Sequence, residues 1–153
     1  MSKKESKKNL DEELILQLYK LAYHQYKINE FQEALKTFNE IIAELELVND
    51  KSIFVNKFLV SSKTAKALIE AKLGNWEESK KELLRLSKVY PKHIKILDFY
   101  DQIVKGEVWD INGLNISGFD KFGLHYKTRQ KYDLKGFDIK GFNIRGYDKN
   151  GYN

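Results

Sequence analysis

Ala67-Leu68-Ile69-Glu70-Ala71-Lys72-Leu73-Gly74-Asn75-Trp76-Glu77-Glu78 reads as the end of one amphipathic helix, a tight turn and the start of another. Gly74 suits the left-handed conformation that closes a helix, because it has no Cβ to clash there. Asn75 is an expected N-cap for the next helix, with Glu78 in the capping-box position. Outward from this turn, the preceding helix runs back to about Ser52 and carries Phe54, Phe58, Ser61, Ala65, Leu68, Ile69 and Lys72 on one face. The following helix is expected to bury Trp76, Leu83, Leu86 and Tyr90 and to stop before Pro91.

The same arrangement stands upstream. Leu10, Leu14, Leu18, Leu21, Ala22 and Gln25 keep helical spacing over about residues 10–28, with Asn9 as the expected cap and Asn29 at the turn. Phe31, Ala34, Leu35, Phe38, Ile41, Ile42 and Leu45 form an i, i+3, i+4, i+7 stripe that ends at Asn49-Asp50. A fifth helix, about Lys92 to Lys105, presents Ile94, Leu97, Tyr100, Ile103 and Val104, and Gly106 ends it.

Small residues (Ala22, Ala34, Ala67, Ser79), large apolar ones (Phe38, Leu83), a turn glycine and a closing proline together resemble the tetratricopeptide repeat over about residues 10–105. Two departures are plain: Asn29 replaces the usual glycine, and the units lie 45 residues apart rather than about 34. The resemblance implies a solenoid whose inner surface is built from the first helix of each unit. There Tyr19, Tyr23 and Lys27 follow i, i+4, i+8 with Tyr26 beside them, and the second unit offers Thr64, Leu68 and Lys72. Amphipathic aromatics beside a cation suit a peptide groove; the same tyrosines also suit packing against a neighbouring helix. The Asn and Lys set with which some members of that family grip a terminal carboxylate is absent. Two units and one helix make a short stack. One end is left for a second copy, giving a homodimer, or for the C-terminal region.

From Val108 glycine recurs every five residues, in units such as Tyr132-Asp-Leu-Lys-Gly136, Phe137-Asp-Ile-Lys-Gly141 and Phe142-Asn-Ile-Arg-Gly146. Four such units, a spacer Arg129-Gln130-Lys131 and four more fill residues 109–151. They resemble pentapeptide repeats, which implies a short β-solenoid; their bulky first residues fit a glycine-bent sheet equally well. The expected fold is therefore α+β by segregation, with a flexible basic tail (1–9), a helical-repeat domain (10–105) and a β-repeat region (106–153).

Lys135, Phe137, Lys140, Phe142, Arg145 and Tyr147 interleave cations with aromatics, the composition of a single-stranded nucleic-acid surface. Against it, residues 106–153 hold eight basic and six acidic side chains, a weak net field.

The chain has 153 residues, 27 basic against 22 acidic, and no cysteine. That excludes disulfides, thiolate metal sites and a cysteine nucleophile. His24, His93 and His125 stand in no ligand or triad spacing, Asp148-Lys149-Asn150-Gly151 lacks the remaining ligands of a calcium loop, and no cofactor motif is present. No run approaches a membrane span or a signal peptide. The expected protein is a cytoplasmic, non-catalytic interaction module, an adaptor or scaffold that binds a protein or peptide through its helical face, with the tail as a second contact or self-association element and no membrane contact. The alternative is nucleic-acid binding through the tail.

Overall fold

A computed structural model describes residues 10–49 and 51–152. The basic segment 1–9, including Asn9, lies outside the described residues, as does Asp50. Five α-helices follow in order: α1 (Glu12–Lys27), α2 (Phe31–Glu46), α3 (Ile53–Lys72), α4 (Trp76–Val89) and α5 (Lys95–Val104). Each packs on its neighbour in sequence, and α3 also touches α5.

The chain builds α1–α2 and α3–α4 as two copies of one hairpin. Asn29 and Gly74 both have positive φ, 66° and 88°. In the first hairpin the Glu30 N–H donates to the Gln25 carbonyl and the Asn29 N–H to that of Tyr26. In the second, Asn75 donates to Glu70 and Gly74 to Ala71. Both are Schellman closures, which satisfy the last carbonyls of the helix and reverse the chain. Asparagine serves at 29 because it tolerates the left-handed region better than other side chains do. At the crossings Ala22, Ala34, Ala67 and Ser79 are completely or almost completely buried, so the backbones approach closely. Ser79 Oγ donates to the Ala67 carbonyl at 2.7 Å, and Thr37 Oγ1 to Gln25 Oε1 at 2.8 Å.

Ile15, Phe31, Phe38, Ile41, Leu45, Val55, Leu59 and Ile69 form the core of the first hairpin against α3. Val60, Ala67, Leu83, Leu86, Ile96 and Ile103 form that of the second against α5. Burying each large side chain contributes about 1.5–3 kcal/mol.

The caps differ from expectation. Asp11 caps α1, accepting from the Leu14 N–H at 3.1 Å. Asn75 makes no side-chain cap on α4; its amide instead donates to Glu70 Oε1 at 2.8 Å. Two helix faces are also offset. In α3 the buried residues include Val55, Leu59, Val60, Ala67 and Ala71, while Phe54, Phe58, Ser61, Ala65 and Leu68 lie half-buried beside them. In α5, Ile96 and Ile103 are buried with Phe99 and Tyr100 against them, while Ile94, Leu97 and Val104 are exposed.

α5 ends in the same way as α1 and α3: Gly106 has φ 79°, Glu107 N–H donates to Gln102 and Gly106 N–H to Ile103. It is therefore the first helix of a third unit. Counting back from the turn, Ala22 and Ala67 correspond to Phe99. A phenyl ring there leaves no room for a second helix to cross, and the chain after Gly106 takes that place in another form.

That region is where the expected β-repeat is overturned. Among the described residues it contains no strand, only a single antiparallel bridge between Phe119 and His125. Neither a pentapeptide solenoid nor a glycine-bent sheet is present, and the described elements are all α-helical. The reason lies in Asp or Asn, the second residue of each unit. In the unit beginning at Asp133, the Asp133 N–H donates to the Phe137 carbonyl and Gly136 N–H to the Asp133 carbonyl. Asp133 Oδ1 accepts from the N–H of Lys135 at 2.8 Å and of Phe137 at 3.0 Å. Four of the five N–H groups are thus satisfied inside one turn, leaving no row to pair with a neighbouring strand. Asp110, Asn115, Asp120, Asp138, Asn143 and Asp148 repeat the pattern. The region is a ribbon of Asx-stabilised turns with the left-handed glycine last in each.

The fourth unit varies the pattern. His125 stands in the Asx place: its Nδ1 accepts the Lys127 N–H at 3.2 Å while Nε2 faces the Ser117 carbonyl at 3.1 Å. The turn is one residue longer, with Arg129 at φ 58° in the place of glycine and its N–H bonded to the His125 carbonyl.

Candidate functional site

α1, α3 and α5, the first helices of the three units, turn one face each to a common cleft. Its walls are Tyr19, Tyr23 and Tyr26 from α1, Ser61, Thr64, Ala65 and Leu68 from α3, and Ile96 and Phe99 from α5, with His93 and Lys95 at one rim. The cavity is about 480 Å³. Ser61, Ala65 and Leu68 of the half-buried stripe of α3 belong to this wall, while Phe54 and Phe58 pack against the first core.

The tyrosines are held as a set. Tyr19 packs edge-on to Phe38 and Phe58, with ring centroids 5.9 and 5.1 Å away. It also lies near-parallel to Tyr23 at 6.1 Å. Tyr26 meets Phe31 edge-on at 5.6 Å. Lys27 places its ammonium 4.9 Å from the Tyr23 ring centroid, a cation–π contact on the outer side of the row. Burial pushes the Tyr19 phenol up; a hydrogen bond with Ser61 opposes this and Tyr23 adds to it. Burial, with Tyr23 beside it, also pushes Tyr26 up. Tyr23 is the exposed member, at 46%. The row is thus half structural and half available.

A second cleft of about 750 Å³ adjoins the first, sharing Tyr26, Leu68 and Phe99 in its wall. Lys72, Gln102, Glu107, Val108, Trp109, Asp110, Ile111 and Lys121 line its far part. The first turns of the ribbon are pinned there. Ile111 N–H donates to the Lys72 carbonyl at 2.8 Å, closing an otherwise open carbonyl at the C-terminus of α3. Lys72 Nζ donates back to the Trp109 carbonyl at 3.3 Å. Asn115 Nδ2 donates to the Gly106 carbonyl at 3.1 Å, so closely that any Cβ at 106 would stand 2.7 Å from it. Val108 and Ile116 pack against the second core, as do Trp76, Tyr90, Phe99 and Tyr100.

Of the residues singled out from the sequence, Tyr19, Tyr23, Tyr26, Thr64 and Leu68 line the first cleft; Lys72 lines the second, and Lys27 lies outside both. In the ribbon Lys135, Lys140 and Arg145 are exposed at the third place of successive turns, while Phe137 and Phe142 are half-buried and Tyr147 is exposed. Lys149 already sits 6.0 Å from the Phe137 ring centroid. Phe99, Lys95, Trp109 and Lys121 were not singled out. The signal for Phe99 was its distance before Gly106, which repeats that of Ala22 before Asn29.

Among the described residues no group of three or more His, Asp or Glu is placed to hold a metal ion, and no helix is long and apolar enough to cross a membrane. Asp148 spends Oδ1 on the N–H groups of Asn150 and Tyr152, both at 2.9 Å, which is a turn and not a calcium loop. No protein-family model, curated protein or solved structure matches the chain. The helical hairpins are consistent with a tetratricopeptide-like repeat on geometry alone.

Proposed function

We propose that the protein is a non-catalytic peptide- or protein-binding module whose site is the cleft on α1, α3 and α5. One observation carries this reading: three tyrosines on one helix face Leu68 and Phe99 across a cleft open to solvent. Tyrosine offers a large rigid surface and a polar tip at little entropic cost, which suits capture of an extended segment. Selection of peptides from a random display library against the full chain, followed by affinity measurement, tests it. Tyr23→Ala is expected to weaken a selected peptide about ten-fold, near the 1.4 kcal/mol of one modest interface anchor. Unchanged affinity in Tyr23→Ala and Tyr19→Phe/Tyr23→Ala chains sinks the reading.

The nucleic-acid alternative has less support. Lys135, Lys140 and Arg145 are exposed, but the rings of Phe137 and Phe142 are partly covered and offer little face for stacking. Binding of single-stranded DNA that weakens steeply with salt and is lost on replacing these three cations would favour it.

A further inference from the structure

We infer that the partner is an extended acidic peptide, with an apolar residue over Leu68 and Phe99 and carboxylate side chains to either side of it. This rests on the cleft being the binding site. The two clefts adjoin across Tyr26, Leu68 and Phe99, which line both, and together form the channel the peptide would follow. Those three make an apolar waist. On one side stand Lys95 and His93, with no carboxylate among the lining residues. On the other stand Lys72 and Lys121, with Glu107 and Asp110.

The chemistry of the far side favours an acceptor. Asp110 Oδ1 already accepts from Asn112 and Leu114 N–H at 2.8 and 3.1 Å. Lys121 stands 5.7 Å from the Trp109 ring centroid and pairs with no carboxylate among the described residues. Lys72 spends one of its three ammonium hydrogens on the Trp109 carbonyl.

Two buried polar groups in the channel walls also lack partners: the Trp109 indole N–H and the Thr64 hydroxyl. Indole is a donor only, and a buried donor left unmade is unfavourable. An extended acidic peptide supplies carboxylates along its length for the ammonium groups. The lining of the two clefts together holds Lys72, Lys95 and Lys121 against Glu107 and Asp110. The excess of cations complements an acidic partner. The turn ribbon is thus part of the site, since Trp109 and Lys121 belong to it.

The test is fluorescence anisotropy on the full chain with three labelled synthetic peptides of about ten residues. The first alternates Glu and Leu with both ends blocked. The second replaces Glu by Gln, blocked. The third is the Gln peptide with a free C-terminal carboxylate. The Glu peptide is expected to bind at least about ten-fold more tightly than either Gln peptide, a difference of about 1.4 kcal/mol. Lys95→Gln and Lys121→Gln are each expected to reduce that preference. Equal binding of the Glu and blocked Gln peptides overturns the acidic partner and leaves the cleft standing. Recovery of tight binding by the free-ended Gln peptide overturns it too, in favour of a terminal carboxylate. Failure of every peptide to bind overturns the cleft reading and this inference with it.

Discussion

Asn29 and Gly74 do the same work with different side chains, and the difference is measurable. At φ 88° a Cβ is strained, so Gly74→Ala is expected to destabilise the chain by about 1–2 kcal/mol. Asn29→Gly relieves a smaller strain and is expected to change stability by less than about 0.5 kcal/mol. Urea unfolding of both variants checks the pair; equal losses would mean that the two turns are not equivalent. A second expectation concerns the phenols of Tyr19 and Tyr26. Both are raised above the usual tyrosine value of about 10. Their folded-state contribution is therefore complete below the unfolded value and is lost as pH rises through the folded ones. An absorbance titration of phenolate should show tyrosines ionising above the usual tyrosine value, and Tyr19→Phe should remove part of that late phase. A single early phase would contradict the burial described for the cleft.

At the scale of the element, the turn ribbon depends on its Asx side chains more than on its aromatics. Asp138→Ala removes the acceptor for the Lys140 and Phe142 N–H groups, both at 2.9 Å. Amide hydrogen exchange at 140 and 142 should accelerate at least about ten-fold in Asp138→Ala, and little in Asp138→Asn, because Asn143 already fills that role in the next turn. Unchanged exchange in the alanine variant would show that the side chain does not hold the turn.

The period of this region was legible, but not its frame. Reading each unit from its aromatic residue gives alternating faces and a sheet. Reading it from Asp or Asn gives an Asx residue first and glycine fourth, the composition of a tight turn. What decides between them is hydrogen bonding from side chain to backbone, which hydrophobic periodicity does not register. The helices were easier. Gly74 and Asn29 locate the hairpins, and Ala22, Ala34, Ala67 and Ser79 their crossings. The face of α5 was misread because Ile94, Ile96, Leu97, Phe99, Tyr100, Ile103 and Val104 leave it apolar nearly all round. Two stripes of helical spacing exist there, and only packing against α4 and the ribbon chooses one.

For the whole molecule, the third unit has one helix, and the turn ribbon covers what a second helix would otherwise cover. Val108 and Ile116 pack against the second core alongside Trp76, Tyr90, Phe99 and Tyr100. Deleting the chain after Lys105 uncovers that surface. The loss is expected to be on the order of 2–4 kcal/mol, from two partly buried aliphatic side chains and the rings alongside them. A lower urea midpoint, or self-association through the uncovered face in light scattering, is the expected outcome. A monomer of unchanged stability would mean that the ribbon is an appendage and not a part of the stack. The tyrosines on α1 were legible as candidates for binding. The far half of the channel was not, because Trp109 and Lys121 reach it only through the docking of Ile111 on the end of α3.

The most direct test of the central claim is chemical-shift mapping of a library-selected peptide on the isotopically labelled full chain. Shifts are expected at Tyr23, Tyr26, Leu68 and Phe99, with the Trp109 indole N–H moving in the same titration. Shifts confined to residues 132–152, or to the outer surfaces of α2 and α4, would contradict it.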